Sequence, residues 1–312
     1  MTEIVKAIRS DRNPLIFPSM LRGEAGLNIN GPCLIRVPEW MNEPLGRYYL
    51  YFAHHKGTYI RMAYADQVEG PYTVYHPGVL HQRDTIFGEG EVDLQNWTAH
   101  IASPEVIVDH DRRQLVMIFH GLGPSLPGCH GSSIAASRDG LTFAMVPDAP
   151  VIPETYFRAF RWMGHWYLIG RLGQMYRTGS EFSAFERGPN PFQPVLGPAP
   201  LRHCAVRLVG ARLQVFYSRI GDEPERIVLS EMALDGAWER WAVSHPTTVL
   251  QPETIYEGVD RPLRPSRMGP AWRRVREVRD PAIFEEDGHT YLLYSIAGES
   301  GIAVARLQFS IA

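Results

Sequence analysis

The chain has 312 residues, 45% hydrophobic and 21% charged, enough to bury a full core as one large domain or two small ones. A formal net charge of -3 gives no basis for a nucleic acid or an anionic membrane surface as partner, and no apolar run approaches membrane-spanning length. Three cysteines, Cys33, Cys129 and Cys204, stand far apart without Cys-x-x-Cys spacing. They read as buried thiols of a reducing compartment, not as a disulfide framework or zinc site. The amino terminus lacks the apolar core of a signal peptide, so the expectation is a cytoplasmic protein.

Short apolar runs rich in Val, Ile, Tyr and Phe, set among 28 glycines and 25 prolines, predict strands and not long helices. A first stretch, residues 4–16, precedes a pattern that then repeats. Unit one opens at Gly31-Pro32-Cys33-Leu34, turns into the aromatic run 48–52, and leaves it through Ala53-His54-His55-Lys56-Gly57; residues 59–64 and 72–75 follow as further strands. Unit two opens at Ser103-Pro104-Glu105-Val106, turns through 109–113, and runs along 115–119 into His120-Gly121, with 133–137 and 143–146 after it. Phe157-Arg158 opens a third unit, which turns at Met163-Gly164 into 166–169 and ends at Gly170-Arg171. Arg202-His203-Cys204 opens a fourth, whose second run 213–217 ends at Ser218-Arg219, with 227–230 next. The fifth, residues 278–307, opens at Arg279-Asp280-Pro281, and a Gly-flanked loop carrying Glu299 follows its second run.

Five units of β-runs broken by turn residues, spaced by roughly 45 to 75 residues, fit the blades of a propeller. The fold expected is therefore all-β, a single five-bladed β-propeller over residues 1–312. Its last unit runs out of chain after three strands. Residues 4–16 are expected to supply the fourth and close the ring, because an unclosed propeller leaves an exposed edge.

The first strand of each blade lines the axis of a propeller, so distant blade openings converge on one pocket. In register, Gly31, Ser103, Arg158, His203 and Asp280 are surrounded by Asn28, Asn30, His100, Glu105, Arg202, Glu277 and Arg279. The ends of the second strands add His54, His55, His120, Arg171, Arg219 and Glu299.

Asp280-Pro281 before an apolar strand, Ser103-Pro104-Glu105-Val106 in an equivalent place, and the Tyr-x-Leu-Tyr type of second strand resemble the five-bladed propeller glycoside hydrolases. That group comprises family 43, with its arabinanases and xylosidases, and the related invertase, levansucrase and neoagarooligosaccharide hydrolase families. The resemblance implies cleavage or transfer at a glycosidic bond by a carboxylate base or nucleophile and a carboxylic acid. Two departures stand out. Where family 43 usually opens blade one with its catalytic Asp, this chain has Asn30-Gly31-Pro32, and units three and four carry Arg158 and Arg202-His203 where further carboxylates would be sought.

From the residues themselves, glycoside hydrolysis needs one carboxyl to protonate the leaving oxygen and another to attack or to activate water. Glu105, Asp280 and Glu299 are the axial candidates. Asp280 beside Arg279 should favour its charged form, and Glu299 or Glu105 is the candidate proton donor. Asn30, His54, His55, His100, His120, Arg158, Arg202, His203, Arg219 and Arg279 are the candidate substrate-binding residues. The arginines as a set favour a carboxylate-bearing or sulfated sugar, yet each equally suits an ion pair between blades. Asp-Pro is likewise a turn device. No cofactor is expected; an axial metal held by imidazoles is the lesser reading, and none of the histidines shows the i, i+4 spacing of a metal motif. The acidic stretch at residues 89–93 before Trp97 reads as a linker or a loop over the pocket. Residues 261–279, rich in Arg and Pro, read as a lid or a face for a second subunit. A lyase or isomerase using His, Tyr and Arg on a carboxylated sugar, and a non-catalytic carbohydrate-binding propeller, stand as the alternatives.

Overall fold

A computed structural model describes residues 3–88, 99–124, 130–197 and 199–311. The acidic stretch 89–93, Trp97 and Cys129 lie outside the described residues.

Five four-stranded antiparallel sheets make up the described structure. The ring starts in its last blade, with β1 (Glu3–Arg9). Blade one is β2 (Asn30–Arg36), β3 (Tyr48–Ala53), β4 (Tyr59–Ala65) and β5 (Thr73–His81); blade two is β6 (His100–Asp109), β7 (Gln114–Leu122), β8 (His130–Ser137) and β9 (Ala144–Met145). Blade three comprises β10 (Arg158–Trp162), β11 (His165–Ile169), β12 (Met175–Thr178) and β13 (Phe185–Arg187). Blade four comprises β14 (Leu201–Val209), β15 (Arg212–Arg219), β16 (Ile227–Ala233) and β17 (Thr247–Leu250). β18 (Val278–Glu286), β19 (His289–Ile296) and β20 (Ile302–Ile311) form blade five, and β1 pairs antiparallel with β20 to complete it. The amino-terminal closure expected from the sequence is thus the one observed. Arg9 fastens it: its Nε meets Oε1 of the fully buried Glu257 at 2.8 Å, whose other partners include the Tyr294 hydroxyl.

The aromatic second strands explain the packing. Alternate side chains of a strand face opposite sides of its sheet, and in a propeller both sides meet a neighbouring blade. Tyr49, Tyr51, Phe52, Phe216, Tyr217 and Tyr294 are accordingly all buried. Five separate hydrophobic clusters result, one at each seam between adjacent blades. Cys33 and Cys204 are buried free thiols within these seams.

The blade openings share one irregularity. The pairing register shifts between Asn30 and Cys33, between Ala102 and Glu105, between Leu201 and Cys204, and between Arg279 and Ala282. Such a bulge takes one residue out of the ladder and re-aims its side chain. Three of the four place a left-handed residue just before proline: Gly31 (φ 59°), Ser103 (φ 49°) and Asp280 (φ 51°). Proline has no N–H to lose from the ladder at such a point. Blade three differs and corrects the alignment drawn from sequence. Strand β10 pairs with β11 without a shift, and the left-handed residue is Tyr156 (φ 61°), so Tyr156 and not Arg158 comes to the axial cavity.

Candidate active site

Blade openings and second-strand ends meet around a cavity of about 310 Å³. Its wall carries His55, His100, His120, Arg171, Arg202, His203, Asp280 and Glu299, all named from the sequence, together with His130, Glu154 and Tyr156. Met268 and Gly269 of the long segment before β18 also reach it, which gives that segment a wall of the cavity.

Asp280 is 1% exposed. Its Oδ1 is in ion-pair contact with His203 Nδ1, though neither carboxylate oxygen makes an aligned hydrogen bond among the described residues. Burial alone would raise its pKa, but His203, Arg279 and Arg202 outweigh that and hold the carboxyl far below the usual range. His203 is pushed downward by burial against the pull of Asp280. The pair is therefore an ionised carboxylate facing a neutral imidazole whose Nδ1 carries the proton.

Glu299 is different, because its carboxylate is saturated. Arg279 reaches Oε1 at 3.1 Å, while Oε2 accepts from Asn30 Nδ2 at 3.1 Å, from Asn28 Nδ2 and from His55 Nδ1 at 2.7 Å. Burial raises its pKa, yet His55 and Arg279 together hold it below the ordinary value. With the carboxylate ionised, His55 must carry its proton on Nδ1, which leaves Nε2 as its second polar atom. Glu299 thus orients an imidazole and holds no proton of its own to give.

Glu154 carries the opposite bias. Burial pushes its pKa up, opposed by the Thr155 backbone N–H and by the Arg171 charge. Of the cavity carboxyls, it is the one drawn toward the neutral form. Tyr156 stands between two imidazoles, with ring centroids 4.4 Å from His120 and 4.0 Å from His203. Burial pushes its phenol up to about 12, so it stays a hydrogen-bond donor. His120 is driven well below its ordinary value, first by burial and then by the surrounding histidines. Among the described residues no three His, Cys, Asp or Glu side chains come together as a metal-binding group, and no helix is long and apolar enough to cross a membrane.

The arginines divide sharply. Arg202 grips Glu225 through two bonds, at 2.7 and 3.0 Å. Arg279 is shared by Glu277, Glu225 and Glu299, and Arg219 is taken by Asp222 at 2.9 Å. Arg158 binds Glu105 Oε2 at 3.0 Å and the Pro32 and Pro104 carbonyls. Of these four, only Arg202 lines the cavity, so the ion-pair reading describes what the set does. Arg171 is the cavity cation that makes no ion-pair contact among the described residues, although its charge acts on Glu154; it donates to the Met268 sulfur at 3.4 Å.

No protein-family model matches the chain. Over 303 residues it is 34% identical to the uncharacterized protein R118 of Acanthamoeba polyphaga mimivirus, an alignment covering 90% of this chain and 84% of that one. The chain belongs to the family of that mimivirus protein. Solved structures extend the fold of this R118-family chain further. A thermostable family-43 glycoside hydrolase superposes with TM-score 0.62 at 13% identity, covering 91% of this chain and 90% of its own. An endo-1,4-beta-xylanase of Bacteroides thetaiotaomicron gives 0.61 at 11% identity, with 96% of each chain covered. An N-acetylgalactosamine deacetylase of F. plautii gives 0.54 at 10% identity, with 90% of each covered. The likeness is one of fold: the R118-family chain has the five-bladed propeller of family 43 and related glycoside hydrolases.

Glu105 lies apart from the cavity wall of this R118-family member. Both its oxygens are used across the seam between blades two and three, one by Arg158 and the other by the Ala159 N–H at 3.0 Å. The Pro104-Glu105 pattern marks the bulge, which turns the next side chain away from the mouth. Asn30 acts behind the wall through Glu299 and Asn28, and His54 lines a neighbouring cavity. Glu154 and Tyr156 were not found from sequence. The signal that could have found them is a polar residue just ahead of a blade-opening strand, as Asn28 stands ahead of β2 and Glu154 and Tyr156 stand ahead of β10.

Proposed function

We propose that the chain cleaves a glycosidic bond in the axial cavity, with Asp280 as the anionic carboxylate and Glu154 as the proton donor. The observation that carries this is the opposite bias of two carboxyls on one cavity wall, Asp280 held ionised and Glu154 pushed toward its neutral form. Paired titratable groups driven apart in this way are how one site supplies acid and base together. Glu154 gives its proton to the departing glycosidic oxygen as the bond to the anomeric carbon breaks. Asp280 takes up the developing positive charge, either by attacking that carbon or by removing a proton from the incoming water; one water is consumed and Glu154 is reprotonated over the cycle. His55 and His203 offer Nε2 as acceptors for sugar hydroxyls, the Tyr156 phenol donates to them, and Arg171 faces an anionic substituent. The glycoside hydrolase propellers of the same fold support the reading.

The test is a screen of aryl glycosides and natural oligosaccharides, followed by two variants on whichever substrate turns over. Asp280→Asn should lower kcat by roughly a thousand-fold or more. Glu154→Gln should be severe for substrates with poor leaving groups, by roughly a hundred-fold or more, and mild for activated aryl glycosides, which need no proton. Full activity in Asp280→Asn, or an equal loss for all leaving groups in Glu154→Gln, overturns the assignment.

A lyase acting on a carboxylated sugar is the second reading. It is favoured by one group of residues, the Tyr156 phenol between His120 and His203 with Arg171 on the same wall. Its product would be unsaturated, would absorb in the ultraviolet, and would form without uptake of water.

A further inference from the structure

The buried arginines are unequal in a way that the axial cavity does not explain. Arg158, Arg202 and Arg279 are each matched by a carboxylate. Arg61, 2% exposed, has none among the described residues: its guanidinium donates only to the backbone carbonyls of Ala25, Asn28 and Ala53. Carbonyl dipoles satisfy hydrogen bonds but do not neutralise a buried charge, so the site keeps an unbalanced cation. Burial accordingly draws the Arg61 pKa down to about 9.

Arg61 lines a second cavity, of about 450 Å³. Lys56, also without a carboxylate partner among the described residues, lies on its wall with Nζ 5.4 Å from the centre of the Trp272 ring. Trp272 is 43% exposed, and its ring centroid is 5.7 Å from that of His54. His54 stays neutral there, its pKa lowered to about 4, first by burial and then by the Arg61 charge. Glu24 is the acidic side chain on the wall, and no ion pair joins it to either cation among the described residues. One buried cation without a carboxylate among the described residues and a second cation lying over a half-open indole form a receptor for an anion that carries a flat apolar face.

Its position relates it to the first site. His54 and His55 are consecutive at the end of β3 and line the two cavities respectively; Gly269 and Trp272, close together in the segment before β18, do the same. We propose that the second cavity is a distal subsite for an acidic sugar, a uronic acid residue whose ring stacks on Trp272 while its carboxylate meets Lys56 above the Arg61 charge. This rests on the glycosidase reading for its place in a longer substrate. The stacking uses the C–H face of a pyranose against an aromatic ring, and the charge pairing is strengthened by the low-dielectric floor that Arg61 occupies.

Binding can be measured without turnover, which separates this proposal from the catalytic one. In the full chain carrying ¹⁵N-labelled tryptophan, the Trp272 indole N–H resonance is the one that Trp272→Ala removes. Galacturonate and glucuronate should shift that resonance saturably in both the parent and Asp280→Asn, and galactose and glucose should not. Lys56→Gln, an exposed change outside the axial cavity, should weaken the acidic sugars by roughly five-fold or more, equivalent to about 1 kcal/mol. Equal shifts with neutral sugars, or no weakening in Lys56→Gln, would overturn the acidic specificity. No shift with any of the four sugars would overturn the subsite itself, whatever the axial cavity proves to catalyse.

Discussion

Replacing Glu105 by Gln separates a structural carboxylate from a catalytic one. In the native chain Glu105 accepts from Arg158 at 3.0 Å and from the Ala159 N–H at 3.0 Å, with its side chain 13% and that of Arg158 8% exposed. Burial pushes the Glu105 pKa up and Arg158 pulls it back. The ion pair therefore gains little over a well-packed apolar pair, but removing one member strands the other. Breaking a buried pair on one side costs about 3 to 5 kcal/mol. The amide can still accept from Ala159, and Arg158 keeps the Pro32 and Pro104 carbonyls, so the lower end, about 3 kcal/mol, is expected. An unfolding entropy of about 2.1 cal/mol/K per residue over 312 residues makes 1 kcal/mol worth about 1.5 °C. Glu105→Gln should then lower Tm by about 5 °C and shift the urea midpoint in step, while kcat on a proven substrate stays within about three-fold of the parent. The assay is calorimetry and urea titration beside steady-state kinetics. An unchanged Tm with a hundred-fold loss of kcat would refute the reasoning and return Glu105 to the chemistry.

Deleting residues 1–9 removes the whole of β1 from the edge of β20 and strips Arg9 from the buried Glu257. Tm should fall by about 10 °C or more, with concentration-dependent association through the bared edge visible by sedimentation; an unaltered, monomeric protein would show that the ring closes without it. Stability should also fall as pH drops from 7 to 5. His120 and His203 are held neutral by burial, below their unfolded value of about 6.5, so the unfolded chain binds more protons in this range. Each can contribute up to about 1.4 kcal/mol per pH unit, and depressed Asp280 and Glu299 add a further loss below about pH 4; a Tm flat from pH 7 to 5 would contradict the neutral assignment. Glu299→Gln should lower kcat by roughly ten- to a hundred-fold by releasing His55, with the pH profile of kcat displaced, since a carboxylate that fixes an imidazole tautomer acts through that imidazole. A change in KM alone would place Glu299 in binding.

Much of this molecule could be read along the chain because strands and turns are local. Aromatic second strands, Gly turns and an X-Pro opening each declare themselves within a few residues, and their recurrence predicts five sheets and a ring in need of a fourth last strand. Asp280 was legible for the same reason: Asp280-Pro281 marks the start of a strand that must line the axis. Blade three is harder to align from its residues, because β10 has no bulge or proline to mark its register, and Glu154 and Tyr156 precede that unmarked strand.

The architecture, the closure by residues near the amino terminus, and the convergence of histidines, Asp280 and Glu299 all follow from the order of residues along the chain. Which charges are spent and which are free follows from the packing of the blades. Arg158 meets partners 53 and 126 residues away, and Glu299 is claimed by Asn28, 271 residues distant. Whether a buried carboxylate is ionised, saturated or poised to give a proton depends on the few ångströms around it. The decisive neighbours of Asp280 and Glu299, His203 and His55, come from other blades, and no local pattern of residues encodes their approach.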